Sequence, residues 1–160
     1  RGNSTHTLVE QYLKGETPSE RSVLPLGLFK LLKPYVDQIN NIHLLETIMY
    51  SHKLTVAGQV DCVAEYNGKL SVIDFKTANK ERNESWIDNY FLQCTAYAIM
   101  YEEIFKKPIE QIVILLAGED GSVACYKKNR KDYEESLGKA IQDFYKYYEE
   151  ITKDKIANTK

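Results

Sequence analysis

The chain lacks several features that mark large classes of protein. It has only three cysteines in 160 residues, widely spaced, so it carries neither a disulfide framework nor zinc-ligand spacing and fits a reducing compartment. No apolar run approaches the roughly 18–20 residues of a membrane-spanning helix, and no signal peptide opens the chain. We therefore predict no membrane association.

The chain also lacks a large excess of charge of either sign. The formal net charge is −2, which leaves no global basic surface for nucleic acid. A nucleic-acid partner would have to use local cation clusters, and there are two, KTANKER (76–82) and KKNRK (127–131). Taken alone, each cluster is better explained as a solvated loop.

The remaining composition is that of one globular domain. The chain is 43% hydrophobic and 28% charged, which is ordinary for a domain with a real core. We predict a single domain over residues 1–160. It begins at Arg1 rather than at methionine, which is consistent with the loss of an upstream segment.

Hydrophobic periodicity predicts the order α-α-β-β-β-α-β-β-α, an α/β fold with a mixed sheet flanked by helices. Pro34 is expected to bend or break the second helix, and residues 16–25 are expected to form a loop. The predicted helices are 1–15, 26–39, 84–105 and 132–156, and the predicted strands are 42–50, a hairpin over 56–77, 109–117 and 123–127.

The hairpin carries an unusual pair of acids. Its Asn-Gly turn favours a two-residue type I′ loop, which pairs Tyr66 with Lys69 and, counting outward, Asp61 with Asp74. Like charges directly opposed on a sheet destabilise it, so these acids need a proton, a cation or a metal. Lys76 is one cation, but its flexible stem makes it a poor partner for both acids. The arrangement predicts a divalent-cation site.

A plainer interpretation is an exposed strand on which Lys76 is an ordinary ion-pair partner. The apolar run LSVID (70–74) argues against it, because burial on both faces makes an unpaired carboxylate costly. Elsewhere, His6 lies one predicted helical turn from Glu10, and Gln93 and Tyr97 share a helix face at i, i+4. Each of these pairs, taken alone, is better explained by a structural role.

The order of these motifs resembles a known family. A helix with G-x-x-x-H (Gly2–His6) precedes a glutamate-bearing strand, LLETIMY, followed by G-x-x-D (Gly58–Asp61), D-x-K (Asp74–Lys76) and a helix with Q-x-x-x-Y (Gln93–Tyr97). This order resembles the RecB-type branch of the PD-(D/E)XK nuclease superfamily. The hairpin is especially similar to that of the mitochondrial genome maintenance exonuclease family and its phage and bacterial relatives. The resemblance implies a restriction-endonuclease-like PD-(D/E)XK core.

The resemblance also implies roles for single residues. His6, Asp61 and Asp74 would ligate Mg²⁺ or Mn²⁺ together with the main-chain carbonyl of Phe75, since hard oxygen ligands suit Mg²⁺ and an imidazole favours Mn²⁺. Lys76 would hold and help activate the attacking water. Glu46 would be a supporting carboxylate or a ligand of a second metal, and Gln93 and Tyr97 would position the scissile phosphate. The candidates for DNA contact are Lys80, Arg82, Trp86 and Tyr97.

The implied activity is a Mg²⁺- or Mn²⁺-dependent DNA exonuclease that prefers single-stranded ends and serves DNA replication, recombination or repair. A duplex-end exonuclease of the phage lambda type and a non-catalytic nucleic-acid-binding module are the alternatives; the intact ligand set argues against the second. Many relatives use four cysteines to hold an iron–sulfur cluster. Because this chain has three cysteines, we predict that it holds no such cluster. Relatives also carry residues ahead of the first helix that help form the DNA passage, and strand selection stays open without them.

The same resemblance suggests where the protein works. We expect the cytoplasm of a bacterial or phage-infected cell, or the mitochondrial matrix if a transit peptide preceded Arg1.

Overall fold

A computed structural model describes residues 2–79 and 85–158, without the side chains of residues 2, 3, 85, 86, 148, 151 and 154–158. The helices are α1 (Gly2–Lys14), α2 (Val23–Val36), α3 (Ser85–Phe105) and α4 (Glu134–Asn158). The strands are β1 (Ile39–Ser51), β2 (Val56–Tyr66), β3 (Lys69–Ala78), β4 (Gln111–Gly118) and β5 (Val123–Asn129). The predicted order of elements is confirmed.

The strands form one mixed sheet in the order β1-β2-β3-β4-β5. The pair β3 and β4 is parallel and the other neighbours are antiparallel, so α3 serves as the crossover between β3 and β4. A first apolar cluster lies between the sheet and α1 and α2. A second lies between the opposite face and α3, with α4 contributing to it. The predicted α/β class is confirmed.

The hairpin turn forms as the sequence predicts. Asn67 and Gly68 have φ of 52° and 78°, the left-handed values that a type I′ turn requires. The register runs from Tyr66–Lys69 to Cys62–Ile73.

The paired positions end there, one step short of the predicted pair of Asp61 with Asp74. The main-chain pairing does not extend to Asp61 and Asp74, although their carboxyl groups interact, and a side chain explains why. The Phe75 amide donates to Oδ2 of Asp61 at 2.9 Å, so a carboxylate of β2 takes a main-chain donor of β3. Beyond Ile73, the acids therefore meet where the two strands stop pairing.

Helix α2 differs from its predicted range at both ends. It begins at Val23, because Pro25 lies in the first turn, where helix amides have no intrahelical acceptor and a missing N–H costs little. The predicted loop therefore ends three residues earlier. Pro34 lies inside the last turn, and the helix ends two residues later at Val36 rather than at residue 39.

Strands β1 and β2 both change face near the site. Cys62 packs in the cluster beside α1 and α2, whereas Val60 packs in the cluster beside α3, although residues two apart on a regular strand share a face. On β1, Leu45 and Met49 show the same change. Between them lies Glu46, whose φ of 45° is uncommon for a residue with a side chain. This bend is where the acidic side chains leave the regular faces of the sheet.

Candidate active site

Three elements bring metal-ligating side chains together at the bend. His6 of α1, Glu46 of β1 and Asp61 of β2 each offer one ligand atom, and these atoms all lie within 4.8 Å of one another. His6 Nδ1 lies 3.9 Å from Asp61 Oδ1. Glu46 thus lies beside His6 and Asp61, and its role as a supporting carboxylate or a metal ligand stays a prediction.

Asp74 is the most deeply buried acid of the site. It is 3% exposed, and Lys76 Nζ lies 3.1 Å from its Oδ2. This is an ion-pair distance without hydrogen-bond alignment, and Oδ2 has no hydrogen-bond partner among the described residues. Burial and the nearby charge of Asp61 raise the pKa of Asp74 well above its usual value. A cation close to this oxygen would relieve both penalties.

The other groups of the cluster also resist ionisation. Burial raises the pKa of Asp61, although the Phe75 amide opposes the shift. Burial raises the pKa of Glu46, and the charges of Glu10 and Asp74 add to the shift. Burial lowers the pKa of His6, which favours the neutral imidazole that a metal ligand requires. Gathered acids and a neutral imidazole are the electrostatic setting that a divalent cation stabilises.

The main chain of Phe75 faces the same cluster. A hydrogen bond with this main chain raises the pKa of His6 against the effect of burial. Only an acceptor favours the protonated ring, so the group involved is the Phe75 carbonyl oxygen. The Phe75 side chain packs into the cluster beside α1 and α2. The role of this carbonyl as a metal ligand stays a prediction.

A chain of polar contacts leads from Asp74 to helix α3. Lys76 Nζ donates to Gln93 Oε1 at 3.5 Å, and Gln93 Nε2 donates to the Tyr97 hydroxyl at 2.8 Å. Burial lowers the pKa of Lys76, but the carboxylate of Asp74 outweighs it and the net shift is upward. The ammonium also lies 4.6 Å from the centre of the Tyr90 ring. Lys76 is therefore held as a cation between an acid, an amide and an aromatic face.

Gly58 explains the glycine of the G-x-x-D motif. A Cβ atom built at this position would lie 2.7 Å from Cε1 of Tyr97, closer than van der Waals contact permits. Only glycine lets β2 approach the Tyr97 ring this closely. The motif spacing marked the position, but its physical reason needs the packing of α3 against β2.

The predicted DNA contacts lie mostly outside the described part of the chain. Lys80 and Arg82 lie outside the described residues, and Trp86 lies in α3 with an undescribed side chain. Their contact with DNA stays a prediction. Cys62 and Cys94 pack on opposite faces of the sheet, and Cys125 lies half-buried on β5. The absence of an iron–sulfur cluster also stays a prediction.

Among the helices of the described ranges, none combines the length and the hydropathy that crossing a bilayer requires.

Comparison with known proteins agrees with the geometry. The sequence matches the profile of the PD-(D/E)XK nuclease superfamily over residues 6–160. Human mitochondrial genome maintenance exonuclease 1 is 33% identical over 131 residues, which cover 78% of this chain and 38% of that protein. The Xenopus tropicalis protein of the same name is 34% identical over 103 residues, 61% of this chain and 29% of that one. The chain spans less than two fifths of the length of these relatives.

A crystal structure of a candidate exonuclease from Eubacterium rectale has the same fold. The TM-score is 0.59 over 91% of this chain and 65% of that chain, at 10% sequence identity. The ordered motifs, the mixed sheet and the profile match agree, and the chain belongs to the PD-(D/E)XK nuclease superfamily.

Proposed function

We propose that this protein is a Mg²⁺- or Mn²⁺-dependent DNA exonuclease that hydrolyses phosphodiester bonds from single-stranded ends, in DNA replication, recombination or repair. The observation that carries the proposal is the gathering of His6, Glu46 and Asp61 beside the buried pair of Asp74 and Lys76. The relatives are exonucleases of genome maintenance by name, and the proposal extends that activity to this chain.

The donor set suits a small divalent cation. His6, Asp61, Asp74 and the Phe75 carbonyl would hold it, and Glu46 joins them because its carboxylate lies within 4.8 Å of the His6 and Asp61 donor atoms. Hard oxygens suit Mg²⁺, and one imidazole favours Mn²⁺. The Asp74 oxygen to which no described residue donates a hydrogen bond is supporting evidence. When bound, the ion supplies a lowered water pKa and offsets charge on the phosphate.

The chain's own groups orient the reactants. Lys76, fixed by Asp74 on one side and Gln93 on the other, donates hydrogen bonds to the attacking water and to the phosphate, where negative charge develops. Gln93 and Tyr97 already form a hydrogen bond and present donors that position the scissile phosphate. The non-catalytic alternative leaves this complete set without a role.

Charge favours a single-stranded substrate. Affinity for duplex DNA depends on many cations that neutralise phosphates, and at a net charge of −2 the cations are not in excess over the acids. Single strands can be held by stacking of their bases on aromatic rings beside local cations. Tyr90, which lies under Lys76, is one such ring near the site, and Lys80, Arg82 and Trp86 stay the predicted contacts.

An end-labelled oligonucleotide assay tests the proposal. Single strands should be shortened from an end in Mn²⁺ or Mg²⁺ and should stay intact with a chelator. An Asp74→Ala preparation purified in parallel controls for contaminating nucleases. Cleavage that survives the chelator, or that is equal in the variant preparation, would refute the proposal. Blunt duplexes shortened as fast as single strands would support the lambda-type alternative.

A further inference from the structure

A cavity of about 200 Å³ lies next to the proposed site and has no role in the mechanism. It is bounded by the start of β2, by α3 and by α4. Its walls are mainly apolar, with two polar side chains; the lining residues that matter here are Ala57, Ala96, Met100, Ile141, Gln93 and Tyr97.

The cavity begins one side chain away from the acidic cluster. Ala57 and Gln93 are exposed and Tyr97 is buried, so the space runs inward from the surface to the Tyr97 ring. Gln93 Oε1 lies 3.5 Å from Lys76 Nζ, which lies 3.1 Å from Asp74. The residues that are proposed to position the phosphate therefore also form one wall of the cavity.

The size and the lining suit one planar ring system. An apolar cavity of about 150 Å³ holds benzene, whereas pockets for drug-sized ligands run from about 300 to 1,000 Å³. Apolar walls suit the π-face that every nucleobase has. The amide of Gln93 and the hydroxyl of Tyr97 both donate and accept hydrogen bonds, so they can meet the edge of any base without selecting one.

We propose that this cavity binds the nucleobase of the nucleotide that carries the scissile phosphate. The inference rests on the proposed function and adds a substrate contact to it. The base would leave the stack of the strand and enter between β2 and α3, while its phosphate lies against Lys76. A paired base must first separate from its partner, at an energetic cost, which accords with the preference for single strands.

The test removes the base and fills the cavity in separate steps. Wild type, Ala57→Leu and Ala140→Leu are each given two single strands, one normal and one with an abasic deoxyribose at the nucleotide to be released. Ala57 is exposed, so the larger side chain should be tolerated by the fold. Ala140 is also exposed, lies on α4 and does not line the cavity, which makes it the matched control.

We expect wild type and Ala140→Leu to cleave the normal strand with a kcat/KM about tenfold or more above that for the abasic strand, from the loss of one stacked base. The kcat/KM of Ala57→Leu should be lower than that of wild type by a similar factor on the normal strand. On the abasic strand the two proteins should have equal kcat/KM. Equal slowing of both strands by Ala57→Leu, or equal cleavage of both strands by wild type, would overturn the inference.

A fluorescence measurement separates this inference from the proposed activity. A strand with 2-aminopurine as its terminal base is titrated with each protein, in Ca²⁺ or with a chelator. A signal change that Ala57→Leu abolishes and Ala140→Leu retains supports the cavity even if no cleavage is found. Cleavage together with an identical signal in all three proteins rejects the cavity and keeps the nuclease.

Discussion

Asp74 dominates the electrostatics of the site at the scale of single residues. It is 3% exposed, and its pKa is raised by burial and by the charge of Asp61. A buried acid of this kind is costly unless it is paired. Among the described side chains, Lys76 is the cation within ion-pair distance of it. The site therefore holds acids in a state that a bound cation would improve.

Replacing Asp74 should separate activity from stability. We expect Asp74→Ala to lower cleavage by at least about a hundredfold, because loss of groups that merely support metal ligands already costs about 10–100-fold. The metal-free melting temperature should change little, since removing a buried repelled acid offsets the lost ion pair with Lys76. Single-turnover cleavage and thermal melting measure the two effects. Asp143→Ala, exposed on α4, is the control; unchanged cleavage by Asp74→Ala would contradict the site.

The shifted pKa of Asp74 predicts how stability depends on pH. Between the unfolded value near 3.8 and the raised folded value, the folded state holds a proton that the unfolded state has released. The free energy of unfolding therefore falls as pH rises through this window. The Asn side chain of Asp74→Asn does not titrate, so this variant should lack the Asp74 contribution to that fall. Urea unfolding with a chelator from about pH 4 upward gives the free energy of unfolding of both proteins. The wild-type value minus the Asp74→Asn value should decline as pH rises.

Added Mn²⁺ should oppose that decline in wild type, because a ligand that binds only the folded state stabilises it. A difference between the two proteins that stays flat or grows with pH would show that Asp74 is not a raised-pKa acid.

Substitution of Lys76 by arginine tests whether a positive charge at this position is sufficient for cleavage. Arginine keeps the charge, but it is planar, bulkier and never deprotonated, so it should fit poorly between Asp74 and Gln93. We expect Lys76→Arg to bind Mn²⁺ and DNA nearly as wild type and to cleave about a hundredfold or more slowly. Lys128→Arg, on an exposed part of β5, controls for the substitution. Wild-type turnover in Lys76→Arg would leave Lys76 as an ion-pair partner only.

At the scale of elements, the bend of β1 and β2 and the approach of α3 assemble the site. The left-handed φ of Glu46 lets its carboxylate turn toward His6 and Asp61, and strained backbone of this kind persists only where surrounding structure holds it. Gly58 then lets α3 bring Tyr97 against β2. One strand bend and one missing Cβ thus align groups from four elements.

Gly58→Ala should disturb this alignment without unfolding the protein. Its Cβ would displace the Tyr97 ring and with it Gln93, and misplacement by about 1 Å can cost about a hundredfold in rate. We expect cleavage to fall about tenfold to a hundredfold, with melting still cooperative. Gly27→Ala, on α2 with nothing within 4 Å of its Cβ, is the control and should be neutral or stabilising. Wild-type cleavage by Gly58→Ala would show that Tyr97 is not a positioning residue.

At the scale of the whole molecule, charge and topology bear on how DNA enters. A net charge of −2 leaves little surface to grip duplex phosphates, and the cluster lies where β1, β2 and α1 meet. These features, with the family resemblance, favour a strand that enters by a free end.

The form of the substrate should therefore decide the rate. We expect rapid cleavage of linear single strands, weak cleavage of blunt duplexes and no cleavage of circular single strands. Bulky groups attached to both ends of a linear strand should protect it for the same reason. Gel assays with a circle and its linearised form, which have the same sequence, compare the two directly. A circle cut as fast as the linear strand would make the protein an endonuclease.

Much of the fold is encoded locally and could be predicted. The Asn67-Gly68 turn sets the hairpin register through backbone conformations that few other residues adopt, and apolar periodicity places every helix and strand in order. Prediction failed where a neighbour replaces the expected backbone contact. The Asp61 carboxylate takes the Phe75 amide and ends the ladder, and the first turn of α2 accommodates Pro25.

The sequence by itself determined which residue types are available and in what order, because turn chemistry, periodicity and motif spacing act between neighbours along the chain. Only the tertiary structure decided that Glu46 lies with His6 and Asp61, and that Tyr97 lies against Gly58. These groups are far apart in sequence, and no local preference sets the distance between them. That distance follows from the packing of α1 and α3 on a bent sheet, which depends on the whole core at once.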